Sequence, residues 1–326
     1  MRNDSDGNGG GNGDRAYDVL VIGSANADLT VRVDRRPGPG ETVLGADLVE
    51  SAGGKGANQA AAAARLGART ALLAAVGDDA YGELLLDAQR AAGADTAPVR
   101  VLRGARTGTA MIVVGPDGDN SIIVSPGANS RLSPDDVAAA RPLVAAASVV
   151  SLQWEIPAET VRAAAALAAG AGTRVVLNPS PVPPELDREL LSAADPLVVN
   201  EHEARHLAGA SDGADADSDD PAAWARTLRE RGARSVVVTL GADGALALDA
   251  DAADPVPVPG VAVRPVDTTG AGDAFTGALA ARLAGGASLA DAVRFAVRVG
   301  AASVTRPGAQ PSYPTADELP PEDGEV

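Results

Sequence analysis

Short apolar runs ending in glycine or a polar residue recur along this chain, and alanine-rich stretches lie between them. Asp18-Val19-Leu20-Val21-Ile22-Gly23 is the first such run. Continuous apolar character over five or six residues predicts a strand buried on both faces. The same pattern predicts strands over 70–77, 148–153, 174–177, 196–199 and 235–240. Between them, 57–66 and 158–169 carry helical patterning and are closed by Gly67 and Gly170. Buried strands alternating with helices predict an α/β fold. Its core is a doubly wound, mostly parallel sheet flanked by helices.

Two segments depart from this rhythm. Residues 27–53 and 98–127 show β-type alternation with Pro and Gly. In the second, 109–114 and 121–124 flank Pro116-Asp117-Gly118-Asp119, the pattern of a hairpin. Together they predict a small β-sheet lid beside the main sheet. The Gly/Asn/Asp-rich residues 1–14 are expected to be a disordered leader, and 211–220 a solvated acidic loop. Residues 15–318 are expected to form one domain, and 319–326 a flexible tail.

The chain has 326 residues, 45% hydrophobic but only 2% aromatic, so its core must be built from Ala, Val and Leu. A net charge of −17 disfavours nucleic acid and anionic membranes as partners. No run of about 18 apolar residues predicts a membrane span. The absence of Cys removes thiol catalysis and thiolate metal sites. A cytoplasmic location is the expectation. Twenty-six arginines accompany one lysine, and that lysine is Lys55, set among glycines in Gly53-Gly54-Lys55-Gly56. A compact ammonium fits where backbone approaches a ligand and a planar guanidinium does not.

Four segments carry candidate chemistry. In Asp267-Thr268-Thr269-Gly270-Ala271-Gly272-Asp273, a small-residue turn opens a helix. Free N–H groups and the helix dipole there favour an anion, with Asp273 beside it in the first turn. The Gly53-Gly54 pair opens another helix after the lid strands, as a hinge or as a plain tight turn. Asn26-Ala27-Asp28 follows the first strand, where α/β sheets place ligands. Finally, His202-Glu203-Ala204-Arg205-His206 matches the H-E-x-x-H zinc-peptidase pattern and uses both histidines of the chain. A third ligand would have to be a carboxylate.

Taken together, these segments resemble the ribokinase (PfkB) family of carbohydrate kinases from about residue 18 to residue 314. The run from Gly53 to Ala60 and the run from Asp267 to Asp273 look like its two signature motifs. Asn178-Pro179 and Thr305-Arg306-Pro307-Gly308-Ala309-Gln310-Pro311-Ser312 add to the likeness. The resemblance implies ATP-dependent phosphorylation of D-ribose at its 5-hydroxyl. It places Asn26, Ala27, Asp28, Gly54, Lys55, Asn58, Ala110 and Glu155 around the sugar, and makes Asp273 the general base. The amides at Ala271 and Gly272 become an anion hole. Asn200, Thr239, Gly241, Gly244, Gly272 and Val297 fall to the nucleotide. Asn200-Glu201-His202-Glu203 matches an N-x-x-E motif, which gives Glu203 to Mg²⁺ through water and makes the histidines incidental. Asp267, Thr269, Ser303, Arg306, Gly308 and Ser312 become a K⁺ site. The family also dimerises through its lid sheet, which implies a homodimer.

The sequence departs from that pattern in places. Val297 stands where a polar side chain is usual near the adenine, Leu29 where a His is common, and Trp154 adds bulk before Glu155. A kinase for deoxyribose, fructose or a nucleoside is the nearest alternative. A non-catalytic sugar-binding protein and a zinc peptidase are the others.

Overall fold

The structure is a computed structural model that describes residues 15–209 and 220–319. The leader expected over 1–14, all but the last residue of the loop expected over 211–220 and all but the first residue of the tail lie outside the described residues.

The strands are β1 Tyr17–Ile22, β2 Asn26–Arg32, β3 Val49–Gly53, β4 Thr70–Leu73, β5 Ala75–Gly77, β6 Arg100–Leu102, β7 Gly108–Val114, β8 Asn120–Ser125, β9 Ala147–Leu152, β10 Arg174–Leu177, β11 Ala194–Asn200, β12 Val236–Thr239, β13 Gly244–Leu248 and β14 Val256–Pro259. The helices are α1 Lys55–Arg65, α2 Ala80–Ala92, α3 Pro134–Ala139, α4 Arg141–Ala145, α5 Ala158–Gly170, α6 Arg188–Ala193, α7 Glu201–Ala208, α8 Pro221–Glu230, α9 Ala271–Ala284 and α10 Leu289–Ser303.

Eight strands form the main sheet in the order β14-β13-β12-β11-β10-β9-β1-β4. From β4 to β12 neighbouring strands are parallel, and β13 and β14 add an antiparallel edge. Successive strand residues serve opposite faces, as the period of two requires. Val19, Val21, Val149, Val176, Val198 and Val237 pack with α1, α9 and α10. Leu20, Ile22, Val150, Val175, Leu197 and Val236 pack with α5 to α8. This is the doubly wound, mostly parallel α/β sheet that the apolar runs predict.

The small sheet has the order β3-β2-β7-β8 and joins 26–32 and 49–53 to 108–114 and 120–125. Exposed apolar side chains stand on both of its faces: Val49, Ile122 and Val124 on the side of Asp28, Met111 and Ile123 on the other, with Leu48 just before β3.

Two expectations need correction, and one feature was not foreseen. The strand predicted over 70–77 is two strands. β4 stays in the main sheet, whereas β5 leaves it and pairs with β6. Residues 100–102 therefore belong to that two-stranded sheet and not to the small sheet. The antiparallel edge was not predicted at all. Among the described residues no helix is long and apolar enough to cross a membrane.

The helix pair that carries the site is close-packed through small side chains. A Cβ on Gly277 of α9 would fall 2.5 Å from Gln59 O and 2.8 Å from Ala62 Cβ of α1. Only glycine lets the two helices approach so closely. That approach brings Asn58 and Gln59 on α1 up to Asp273, one turn before Gly277.

Candidate functional site

The order of the main sheet reverses between β9 and β1, towards its β4 edge: β1 is followed on one side by β4, and β9 on the other by β10. Ligands of α/β sheets bind in the crevice at the carboxyl ends of such strands. Here the segments leaving β1 and β9 meet. Ser24 Oγ donates to Glu155 Oε2 at 2.6 Å, and the Lys55 backbone N–H donates to the same oxygen at 3.0 Å.

Asp273 lies in the first turn of α9 and is buried. Its Oδ2 accepts from Asn58 Nδ2 at 3.0 Å, and its Oδ1 from Gln59 Nε2 at 3.2 Å. Burial raises its pKa above the usual carboxylate value. The Lys55 ammonium and the two amide donors oppose that shift without cancelling it, and Glu155 adds to it. For Lys55, burial acts downward and is the largest single influence. Asp273, Glu155 and Glu203 together outweigh it, so its pKa is raised and it stays a cation.

Asp28 on β2 faces the same space. Burial, then the charges of Glu155 and Asp273, push its carboxyl up to about 7. Gly53, paired across from Asn26 on β3, leaves room for it, since a Cβ there would fall 2.1 Å from Asp28 Oδ2. Ala110 on β7 lies in register with Asp28. Asn26 is committed in part to the scaffold, because its Oδ1 accepts from Asn129 Nδ2 at 2.7 Å.

The start of α9 has donors to spare. Gly270 caps it with φ 73° and no side-chain cap. The Ala271 N–H donates to Thr268 O at 3.2 Å, and the Ala274 N–H to Gly270 O at 2.8 Å. The amides of Gly272 and Asp273 have no acceptor among the described residues. The free pair therefore lies one residue beyond the expected Ala271 and Gly272.

Two cavities meet at this turn. One of about 160 Å³ is lined by Lys55, Asn200, Glu203, Thr239, Gly272 and Asp273, among others. The other, of about 490 Å³, is largely apolar. Thr239, Gly241, Gly244, Phe275, Val297 and Val304 contribute to its wall.

Glu203 is buried at the third position of α7 and accepts from the Asn200 N–H at 3.0 Å, while Asn200 Oδ1 accepts from the Glu203 N–H at 2.8 Å. That reciprocal cap orients the carboxylate. His202 and His206 are both exposed. Among the described residues no group of three His, Cys, Asp or Glu could hold a metal ion.

Asp267 ties two loops together: Oδ1 accepts from the Thr269 N–H at 2.9 Å and Oδ2 from the Gly308 N–H at 2.8 Å. The hydroxyls of Ser303 and Ser312 donate to Gly300 O and Ala309 O. Arg306 is exposed and pairs with Glu318 at 3.2 Å.

Sequence reasoning missed several residues here. Gln59 donates to Asp273 and Asn178 Oδ1, and accepts from Ser151 Oγ and Gln153 Nε2. Ser24, Asn129, Gln89 and Gln310 also build the site from a distance. The one available signal was a pair of amides within a run of alanines, since a buried amide needs partners.

The sequence matches the pfkB family carbohydrate kinase over residues 16–316. It is 38% identical over 300 residues to a ribokinase of Haemophilus influenzae, covering 92% of this chain and 96% of the relative. It is 36% identical over 303 residues to a deoxyribokinase of Salmonella typhi, covering 93% and 97%. The structure of an Arabidopsis thaliana ribokinase complexed with ribose and ATP superposes with a TM-score of 0.84. That chain is 34% identical, and the match covers 93% of this chain and 97% of the other. With its site at the head of α9 and a family match over nearly its whole described length, the chain belongs to the pfkB family of carbohydrate kinases.

Proposed function

We propose that this chain transfers the γ-phosphoryl group of ATP to the 5-hydroxyl of D-ribose. The observation that carries this reading is the position of Asp273. It is a buried carboxylate beside two free amides, at the turn where a polar and an apolar cavity meet, and close enough to Asp28 and Glu155 for their charges to act on one another. A sugar held by Asp28, Gly54, Lys55, Asn58 and Glu155 under Ala110 would present a primary hydroxyl to Asp273. Asp273 accepts its proton as the bond to phosphorus forms. The raised pKa of Asp273 makes it a better base than an exposed carboxylate. The amides of Gly272 and Asp273 receive charge on the transferring phosphoryl, and Lys55 neutralises it from the other side. Gly241, Gly244 and Val297 border the nucleotide.

The residues present suit both expected ions. Asn200, Glu203 and Thr239 give a hard-oxygen wall with one carboxylate, which fits a Mg²⁺ that keeps most of its waters. Bound there, Mg²⁺ would neutralise the nucleotide phosphates. Asp267 and neighbouring carbonyls offer hard oxygens for K⁺ around the loop that ends in the free amides. With the serine hydroxyls already donating to local carbonyls, Thr269, Ser303, Arg306, Gly308 and Ser312 would contribute mainly through backbone oxygen. The small sheet acts as a lid hinged at Gly53 and Gly54, the latter at φ 87°. Its exposed Met111 and Ile123, in register on one face, suit a homodimer, and a cytoplasmic setting fits the whole.

The deoxyribokinase relative keeps a second substrate in view. Asp28 bears on the choice: its carboxylate has no hydrogen bond within the described residues, and two adjacent hydroxyls would satisfy both its oxygens. A 2-deoxy sugar would leave one unpaired. The test is ADP release with ribose, 2-deoxyribose, fructose or adenosine as acceptor, with Mg-ATP, in K⁺ and then in Na⁺. Ribose should give the highest kcat/KM and K⁺ the highest kcat. Ribose turning over no better than 2-deoxyribose would move the assignment, and equal rates in both salts would remove the K⁺ site.

A further inference from the structure

A buried chain of amides ends on Asp273. Gln89 on α2 donates from Nε2 to Ala57 O at 3.0 Å and to Gln310 Oε1 at 3.2 Å. Gln310 donates from Nε2 to Asn58 Oδ1 at 3.0 Å. Asn58 donates from Nδ2 to Asp273 Oδ2 at 3.0 Å. All three amides are buried: Gln89, Asn58 and Gln310 are 1%, 6% and 7% exposed.

A carboxamide has nearly the same shape either way round, so its partners decide which end is oxygen. Each link here fixes the next. Ala57 O is a backbone carbonyl in a helix and can only accept, so Gln89 must turn its NH₂ inward. Gln310 must then offer oxygen to Gln89 and NH₂ to Asn58. Asn58 must in turn offer oxygen to Gln310 and NH₂ to Asp273. The polarity runs from one backbone carbonyl to the carboxylate without a break.

We infer that Gln310 and Gln89 are positioning residues, which act through the Asn58 amide to hold the Asp273 carboxylate in register for proton abstraction. This rests on the reading of Asp273 as the base. Gln310 follows the Gly308 amide that binds Asp267, so the turn at 308–312 touches the proposed ion loop directly and reaches the base through Asn58. Neither glutamine is adjacent in sequence to the residues it orders.

The test uses Gln310→Met, which keeps volume and removes both polar ends, and Gln310→Glu, which keeps shape and removes the donor. Without an N–H on its oxygen, Asn58 loses its fixed sense. An acceptor in that place favours the reversed amide, which would aim oxygen at Asp273. Gln310→Met should lower kcat on the order of tenfold, the weight of one hydrogen bond to a charged group. KM for ATP should hold within twofold, and Gln310→Glu should cost more. The acid limb of kcat against pH should move upward, because Asp273 loses a donor that holds its pKa down. The charged or titratable groups facing Asp273 are Lys55 on α1, Glu155 after β9, Asp28 on β2, Glu203 on α7 across the small cavity and Tyr313 after the 310–312 turn, and all stay in place.

A purely structural glutamine would shift the melting temperature and leave that limb where it was. In an Asn58→Ala background, Gln310→Met should have no further effect on kcat, since its route is gone. Gln89→Met should act in the same direction and more weakly, and it carries the test if Gln310 variants do not fold. Full additivity with Asn58→Ala, or an unmoved acid limb with kcat within twofold of the parent, would overturn the proposal. If Asp273→Asn keeps more than a tenth of kcat, the base assignment itself fails. If Asp273→Asn is inactive while the glutamine variants are neutral, only the relay does.

Discussion

Asp28 and Asp273 face one space and carry the same functional group, yet their surroundings differ in kind. Asp273 sits at a helix N-terminus with one amide donor on each oxygen and Lys55 nearby. Asp28 lies on a strand of the small sheet, with no hydrogen bond from the described chain and two other carboxylates near it. The main body thus organises its carboxylate in advance, whereas the small sheet leaves its own unsatisfied. A carboxylate that lacks donors in the folded chain binds best whatever brings them. On the proposed function, sugar hydroxyls would do so and would draw the small sheet onto the body.

The largest effect should come from breaking the organised half. Asp273→Asn should lower kcat by about 10²–10⁴-fold while ribose affinity, measured by calorimetry, changes little. Loss of binding in place of turnover would make the two carboxylates alike.

The converse holds for the other half. Asp28→Asn should raise KM for ribose roughly 10²-fold, the weight of hydrogen bonds to a charged group, and leave kcat within a few-fold. The parent enzyme should also show a pH-dependent KM for ribose. With a pKa of about 7, Asp28 is largely protonated at pH 5.5 and no longer offers two hydroxyls a charged acceptor on each oxygen. KM should therefore fall by about tenfold or more between pH 5.5 and pH 8, as the competent fraction grows. Initial-rate measurements in the Asp28→Asn variant should show that slope flattened.

How far this contrast was legible in the sequence depends on the range of each interaction. Asp273 could be read from local pattern, because small residues, a helix start and an acid are neighbours in the chain. The parallel strands could be read for the same reason. The break at Ala74 could not, since β4 and β5 are equally buried and only the pairing of β5 with β6 separates them. The edge strands hid behind their own chemistry: β14 carries Pro257 and Pro259, which an edge tolerates but a strand prediction rejects. The donors to Asp273 were illegible because Asn58 and Gln59 meet it only through the close packing of α1 on α9.

A smaller effect should follow from Gly53→Ala. The added Cβ would fall 2.1 Å from Asp28 Oδ2, so the carboxylate must swing away. KM for ribose should rise several-fold with kcat nearly constant. A kcat loss without a KM change would mean that Gly53 serves Asp273, and that the two carboxylates are not separately controlled.

The smallest effect is on stability, and its sign is opposite to that of most active-site losses. A carboxyl with a folded-state pKa of about 7 holds its proton in a range where the unfolded chain, with a pKa of about 4, has lost it. Between those values the folded state binds more protons, so stability declines as pH rises and levels off above about pH 8. Asp28→Asn removes that decline. The variant should match the parent near pH 4 to 5 and melt a few degrees higher at pH 8, followed by calorimetry without ligands. Saturating ribose should reverse the ordering at pH 8. Its hydroxyls would supply the donors that Asp28 lacks, and ligand bound only to the folded parent adds stability. A variant no more stable at pH 8 than at pH 5, relative to the parent, would show that Asp28 is satisfied within the chain. The distinction between the two carboxylates would then fall.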